Sequence, residues 1–205
     1  MSAFPNRSMI RFLRILLLPG ALAWAGWASA APVPVPVDSG RSYIKFVGDS
    51  FLHDFHGAET QITGNADWDS GSTPSIQKAS LVFPVAGITT FHKKRDEEMF
   101  HWLHSKLHPQ ASFRCEGIRL LSGDCASATA QAPAHVAIAG TFELNGIRHP
   151  LNGNAIWWQE GNRIVVSGKT TVDTLQYGLP QIKKAFMTVG TTIPIEYQFA
   201  FVLPQ

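Results

Sequence analysis

The chain has 205 residues, with 17 Lys+Arg against 15 Asp+Glu for a formal charge of +2, and only two cysteines. A balance this close to neutral excludes a broad basic surface for nucleic acid. After the first thirty residues no segment stays apolar for the roughly 20 residues of a membrane-spanning helix, so a soluble chain of about one domain is expected.

Residues 1–30 read as a signal peptide. Arg7, Arg11 and Arg14 make a basic start, residues 15–27 an apolar core broken by Pro19-Gly20, and Ala28-Ser29-Ala30 the small residues that signal peptidase accepts. Cleavage after Ala30 removes three arginines and no acid, which leaves 14 basic against 15 acidic groups, a formal −1. An uncleaved anchor is the alternative. The expected address is the periplasm or the exterior. Residues 31–37 then alternate Pro with Val, and an extended Pro-rich tail is expected over 31–40, ahead of one domain over 41–205.

Strand signals fill the remainder. Residues 42–47 set Ile44 and Phe46 on one face, residues 55–68 follow, and residues 76–85 alternate Ala79, Leu81, Phe83 and Val85. Residues 91–108 interrupt the pattern: Met99, Phe100, Leu103 and Leu107 fall in one stripe at helical spacing, with Asp96, Glu97 and Glu98 near the start and Pro109 as a stop. One short amphipathic helix is expected there, lying across an end of the sheet. Residues 112–121 and 135–144 resume the strands, the second with Val136, Ile138, Phe142 and Leu144 in phase. Asn145-Gly146 signals a type I′ hairpin, because both residues tolerate positive φ, and residues 147–158 return from it. Glu160-Gly161-Asn162 turns into residues 163–173. The last strand is the clearest: from 189 to 201, Val189, Thr191, Ile193, Ile195, Tyr197, Phe199 and Phe201 take every second position.

These add up to an all-β fold of about eight antiparallel strands with one oily face. Such a sheet buries that face by closing into a barrel, whose interior is filled by side chains or holds one small ligand. A flat sandwich is the competing arrangement. Gly57, Gly64, Gly140, Gly153 and Gly168 suit the bends of a closing sheet.

Several motifs carry possible chemistry. His101, His104 and His108 stand at i, i+3 and i+7 of the expected helix and could hold Zn or Cu, against an ordinary solvated face. A metal-handling protein using His101 and His104, with His92, is therefore one alternative function. His53-Asp54-Phe55-His56-Gly57 reads as a hydrogen-bonded corner: no G-x-S-x-G, Cys–His pair or phosphate-cradling loop accompanies it, and no enzyme is expected. Lys93, Lys94 and Arg95, with Lys183 and Lys184, could receive a polar head group if both sets reach one mouth, against ordinary solvated charge. Cys115 and Cys125 are taken as a short-loop disulfide in an oxidising compartment, with free buried thiols as the alternative. Trp157 and Trp158 must face opposite sides, and an exposed Trp158 would fit a homodimer face. A stress-related interaction module with an apolar patch is the remaining alternative.

The order of segments resembles the YceI-like family of exported lipid-binding proteins. The resemblance covers residues 42–201 and rests on Ser42-Tyr43-Ile44-Lys45-Phe46, on Leu52-His53-Asp54-Phe55-His56-Gly57, and on Lys94-Arg95-Asp96-Glu97-Glu98-Met99. It continues through Pro109-Gln110-Ala111-Ser112-Phe113 and Gly140-Thr141-Phe142-Glu143-Leu144-Asn145-Gly146-Ile147, while His108 departs from the family's usual Tyr before the proline. The resemblance implies a lipocalin-like barrel that binds a long-chain isoprenoid or other lipid, with no catalysis, cofactor or metal. The lining is expected from Phe46, Phe55, Leu81, Phe83, Phe113, Phe142, Trp157, Ile195, Tyr197 and Phe199, with Met99 and Leu103 closing one end.

Overall fold

Period-two alternation runs through almost the whole chain, and the computed structural model turns it into one strongly curled antiparallel sheet. It describes residues 31–49, 54–70, 75–184 and 187–204. The expected signal peptide, Phe51, Leu52 and His53 of the corner motif, and the side chain of Lys184 lie outside the described residues. The strands are β1 (Val33–Pro36), β2 (Tyr43–Gly48), β3 (Phe55–Glu59), β4 (Thr63–Asp69), β5 (Ser75–Pro84), β6 (Gln110–Ser122) and β7 (Ala134–Leu144). They continue as β8 (Ile147–Pro150), β9 (Gly153–Glu160), β10 (Arg163–Asp173), the small pair β11 (Lys183–Lys184) and β12 (Met187–Thr188), and β13 (Thr192–Val202). Spatial order in the main sheet is β1-β4-β5-β6-β7-β9-β10-β13-β2-β3, with β8 beside β7.

Eleven strands, not eight, make this sheet among the described residues. The expected strand over 55–68 breaks after Glu59, and that over 147–158 breaks after Pro150. The Pro-Val tail is extended as expected but not free: it is β1, registered Val33 to Trp68 and Val35 to Ala66, with Val35 buried. Proline suits this position because an edge strand needs only alternate N–H donors. Asn145 and Gly146 take φ of 52° and 73°, the type I′ hairpin expected between β7 and β8.

Beyond the strand ladder, two isolated bridges join the curled sheet: near the mouth Ala58 of β3 exchanges hydrogen bonds with Thr89, at 2.8 and 2.9 Å, and the second bridge lies at the opposite end. There Val37 bridges Phe201 of β13, and the Asp38 N–H donates to the Ala200 carbonyl at 2.8 Å. This is the closed end. Trp68 and Trp157 stack inside it with centroids 6.2 Å apart, surrounded by Val35, Ala66, Ala134 and Ile164. The connection from β6 to β7 caps it: Trp157 Nε1 donates to the Cys125 carbonyl at 3.3 Å, and the Gln159 N–H to Ala128 at 3.0 Å.

The two cysteines are not joined, contrary to the expected disulfide. Cys115 faces the interior from β6, with its thiol toward the Gly117 carbonyl, while Cys125 belongs to the cap. The β-bulge after Cys115 and the separate structural role of the cap keep the sulfurs on different elements. Burial pushes both thiols up from their ordinary value.

At the other end, α1 (Lys93–Trp102) lies between β5 and β6. His92 caps it, its Nδ1 accepting from the Arg95 N–H at 3.4 Å. The helix is shorter than the expected 91–108. Trp102 Nε1 donates to the Pro180 carbonyl at 2.8 Å, and His104, at φ 53°, reaches Asn145 Oδ1 at 2.9 Å. These two tertiary contacts override the helical periodicity, so Leu107 is exposed instead of completing the apolar stripe. No helix among the described residues is long and apolar enough to cross a membrane.

Candidate functional site

Above the stacked tryptophans the interior is hollow. A cavity of about 540 Å³ runs from Ile76 and Phe201 at its floor to Ile88, α1, Gln181 and Lys183 at its mouth. That lies within the size range of small-molecule sites. The inward residues of β13, Ile193 to Phe201, all line it. They span about 26 Å of strand, or roughly 20 Å along the axis at the usual barrel tilt. Burial follows the same line: Phe199 and Phe201 are buried, while Ile193, Ile195 and Tyr197 are half-buried because they face open space.

The lumen stays open because its rings lie down. On β2 and β3, Phe46 stands opposite Gly57 and Phe55 opposite Gly48, and an added Cβ on either glycine would come within 2.1 Å of the facing ring. Tyr197 is registered with Gly168, where a Cβ would meet its hydroxyl at 2.5 Å, and the Phe113 ring leaves the same 2.5 Å over Gly140. Each ring therefore rests on bare backbone of the neighbouring strand and forms wall, not filling. Farther in, Phe83 meets Phe142 at 6.5 Å and Phe199 at 6.2 Å, and Tyr197 stacks on Phe199 at 5.3 Å.

Eleven of the twelve expected lining residues are in this wall: Phe46, Phe55, Leu81, Phe83, Met99, Leu103, Phe113, Phe142, Ile195, Tyr197 and Phe199. Trp157 is the correction. It points inward but at closed-end height, against Trp68, and touches no part of the cavity. Ile44, Ile193 and Phe201 also line it, although they were in phase with expected positions. The α1 segment borders the lumen with Arg95, Glu98, Met99, Trp102 and Leu103.

Polar groups are few and mostly at the rim. Arg95 and Lys183, one member of each expected basic cluster, line the mouth, while Lys93 and Lys94 are exposed and do not. The Arg95 guanidinium lies 4.7 Å from the Phe55 ring centre, and its Nη2 donates to the Thr90 carbonyl at 2.6 Å. Inside, burial pushes the Tyr197 hydroxyl up to about 12, with Cys115 nearby adding to the rise.

Glu59, absent from the expected set, is the unusual member. It is only 2% exposed and borders the cavity; one oxygen accepts from the Gln61 N–H, while Oε2 has no partner among the described residues. Burial pushes its carboxyl up, against the pull of the Gln61 and Thr60 amides. Its sequence surroundings give no signal, because Gly87, which approaches its carboxylate closely, belongs to a different segment.

The expected histidine trio does not assemble. His101 is on the helix, His104 bonds Asn145, and the His108 ring lies against Gly146, so the helix ends before the face they were to share. Among the described residues no three His, Cys, Asp or Glu side chains gather as metal ligands. Asp54 and His56 are exposed on the outer side of the corner.

Residues 36–201 match the YceI-like domain family. Among curated proteins no match is found. Burkholderia cenocepacia BcnA has a similar structure, with a TM-score of 0.64 and 15% identity, over 80% of this chain and 98% of that one. A polyisoprenoid binding domain from Saccharophagus degradans superposes with a TM-score of 0.65 and 15% identity, over 83% and 98% respectively. A Campylobacter jejuni YceI protein gives 0.50 and 14%, over 68% and 82%. At these identities the likeness is one of fold.

Proposed function

Because the chain belongs to the YceI-like domain family, we propose that it is a non-enzymatic carrier that holds a long apolar, isoprenoid-type chain in its lumen. The observation that carries this reading is the hollow interior, walled by Phe, Leu, Ile and Met and kept open by rings lying on glycines. An apolar void offers water too few hydrogen-bond partners, so a hydrocarbon guest is its natural filling. Each methylene transferred there contributes about 0.8 kcal/mol. The polyisoprenoid named for the Saccharophagus degradans domain is consistent with such a guest.

In this reading the hydrocarbon lies between Phe201 and Ile193, and a polar head group remains beside Arg95 and Lys183 at the mouth. The carrier works outside the cytoplasm, in the periplasm or secreted, as the leader over 1–30 suggests. The test is native mass spectrometry and solvent extraction of protein purified from its host under mild conditions. One long-chain lipid per protein is expected. Protein that emerges empty and takes up no added polyprenol would overturn the reading.

A further inference from the structure

Three large apolar side chains stand in water on segments that border the mouth: Phe91 (76% exposed), Leu107 (77%) and Leu175 (54%). Phe91 precedes α1, Leu107 follows it, and Leu175 lies in the turn Thr174–Tyr177 after β10. Other residues of these segments, Ile88, Leu103 and Thr174, line the cavity.

Phe91 is held in place rather than merely left out. Its φ is 61°, a region that bulky L-residues rarely enter. A hydrogen-bonded knot fixes both flanks. Thr89 Oγ1 donates to Asp96 Oδ2 at 3.0 Å, the Thr90 N–H donates to Asp96 Oδ1 at 2.7 Å, and the Thr90 hydroxyl donates to the same carboxylate. Arg95 Nε donates to Thr90 Oγ1 at 2.8 Å, and the Phe91 N–H donates to Thr89 Oγ1 at 3.0 Å. A half-buried polar clamp thus keeps a strained residue's phenyl ring in water. Backbone strain that the surrounding structure holds in place points to a functional role for the segment.

We propose that this rim docks on the surface of a lipid bilayer, with Phe91 and Leu107 inserted at the headgroup–acyl boundary, so that the guest passes between bilayer and lumen without crossing water. The inference rests on the carrier reading, since that guest is soluble only in a bilayer or in the lumen. Lys93, Lys94 and Lys106 stand exposed beside the inserted residues and can meet lipid phosphates, but Glu97 and Glu98 offset most of that charge. Apolar insertion, not a long-range field, therefore supplies the attraction. A bilayer fits better than a protein groove because the apolar tips sit on three separate segments around an opening instead of forming one continuous patch.

Flotation of the mature chain with mixed phosphatidylcholine–phosphatidylglycerol vesicles tests the proposal. The wild type is expected to float with the vesicles at low and high salt alike. A Phe91→Gly, Leu107→Ser variant is expected to lose about tenfold or more in partition. Glycine accepts the φ that phenylalanine strains to adopt, so Phe91→Gly alone is expected to melt no lower than the wild type, which separates lost docking from lost folding. Wild type that stays in the aqueous layer, or a double variant that still floats, overturns the proposal. So does a rim that instead pairs two copies into a stable dimer by light scattering. Wild type that carries lipid but ignores vesicles sinks this inference alone, whereas an empty protein that binds vesicles sinks the carrier reading alone.

Discussion

At the closed end Trp68 and Trp157 reach across the interior and stack at 6.2 Å, whereas at the open end Phe46, Phe55, Phe113 and Tyr197 lie flat against the wall. The same residue class plugs one half and lines the other. What differs is the facing strand. Trp157 is registered with Ala134 and Val166, neither of which is a glycine that leaves bare backbone for its indole to lie on. Phe46 is registered with Gly57, Phe55 with Gly48 and Tyr197 with Gly168, and each ring settles onto the bare backbone. At these three pairs the glycine opposite each ring helps to keep the interior hollow.

The largest test of this contrast is truncation at each end. Trp157→Ala is expected to cost about 3–5 kcal/mol in urea unfolding, because neighbours on all sides lose contacts. Phe46→Ala, with one ring face on empty space, is expected to cost about half as much. Gly57→Val attacks the wall directly. Its side chain needs the volume of the Phe46 ring, which must rise into the lumen. A loss of about 1–3 kcal/mol is expected, together with loss of bound lipid by native mass spectrometry. Adding Phe46→Ala to Gly57→Val should restore most of both, a coupling that independent sites would not show.

Glu59 supplies a pH test. Its folded carboxyl binds a proton more tightly than the unfolded chain does, so the stability it contributes is complete below its ordinary value of 4.5. That contribution is lost as pH rises through the raised folded value. Glu59→Gln is therefore expected to melt with the wild type at acid pH and above it at neutral pH, by about 2–4 °C for each kcal/mol recovered. The smallest expected effect is Ile195→Phe, which adds bulk where there is space. Stability is expected to change by under about 1 kcal/mol, in contrast to overpacking of a solid core, while lipid capacity falls.

Much of the wall was legible because period two is a strong local signal. The inward run from Ile193 to Phe201, and Leu81 with Phe83, follow directly from it. Alternation gives the face of a side chain but not its height, which is why Trp157 was placed in the lumen and proved to be the plug beneath it. The glycine–ring pairs are cross-strand facts: Gly57 and Phe46 are neighbours only once β2 and β3 are in register. Glu59 is similar, since Gly87 approaches it from a different segment. Helical periodicity failed for Leu107 and His108 because Asn145 and Pro180, remote in sequence, capture His104 and Trp102. The cysteine pair failed because proximity in sequence placed one thiol in the wall and the other in the cap.

The junction at the closed end also constrains how the chain can fold. Ser42 accepts a hydrogen bond from Ala200, 158 residues later, and β2 has β13 as its partner. The ring cannot be completed until β13 has appeared, so its closure depends on contacts between segments far apart in sequence, which slow folding. Until then an unpaired edge and a greasy inner surface wait in the open, and maturation is expected to be slow and to rely on holding factors that keep the nascent sheet from others of its kind.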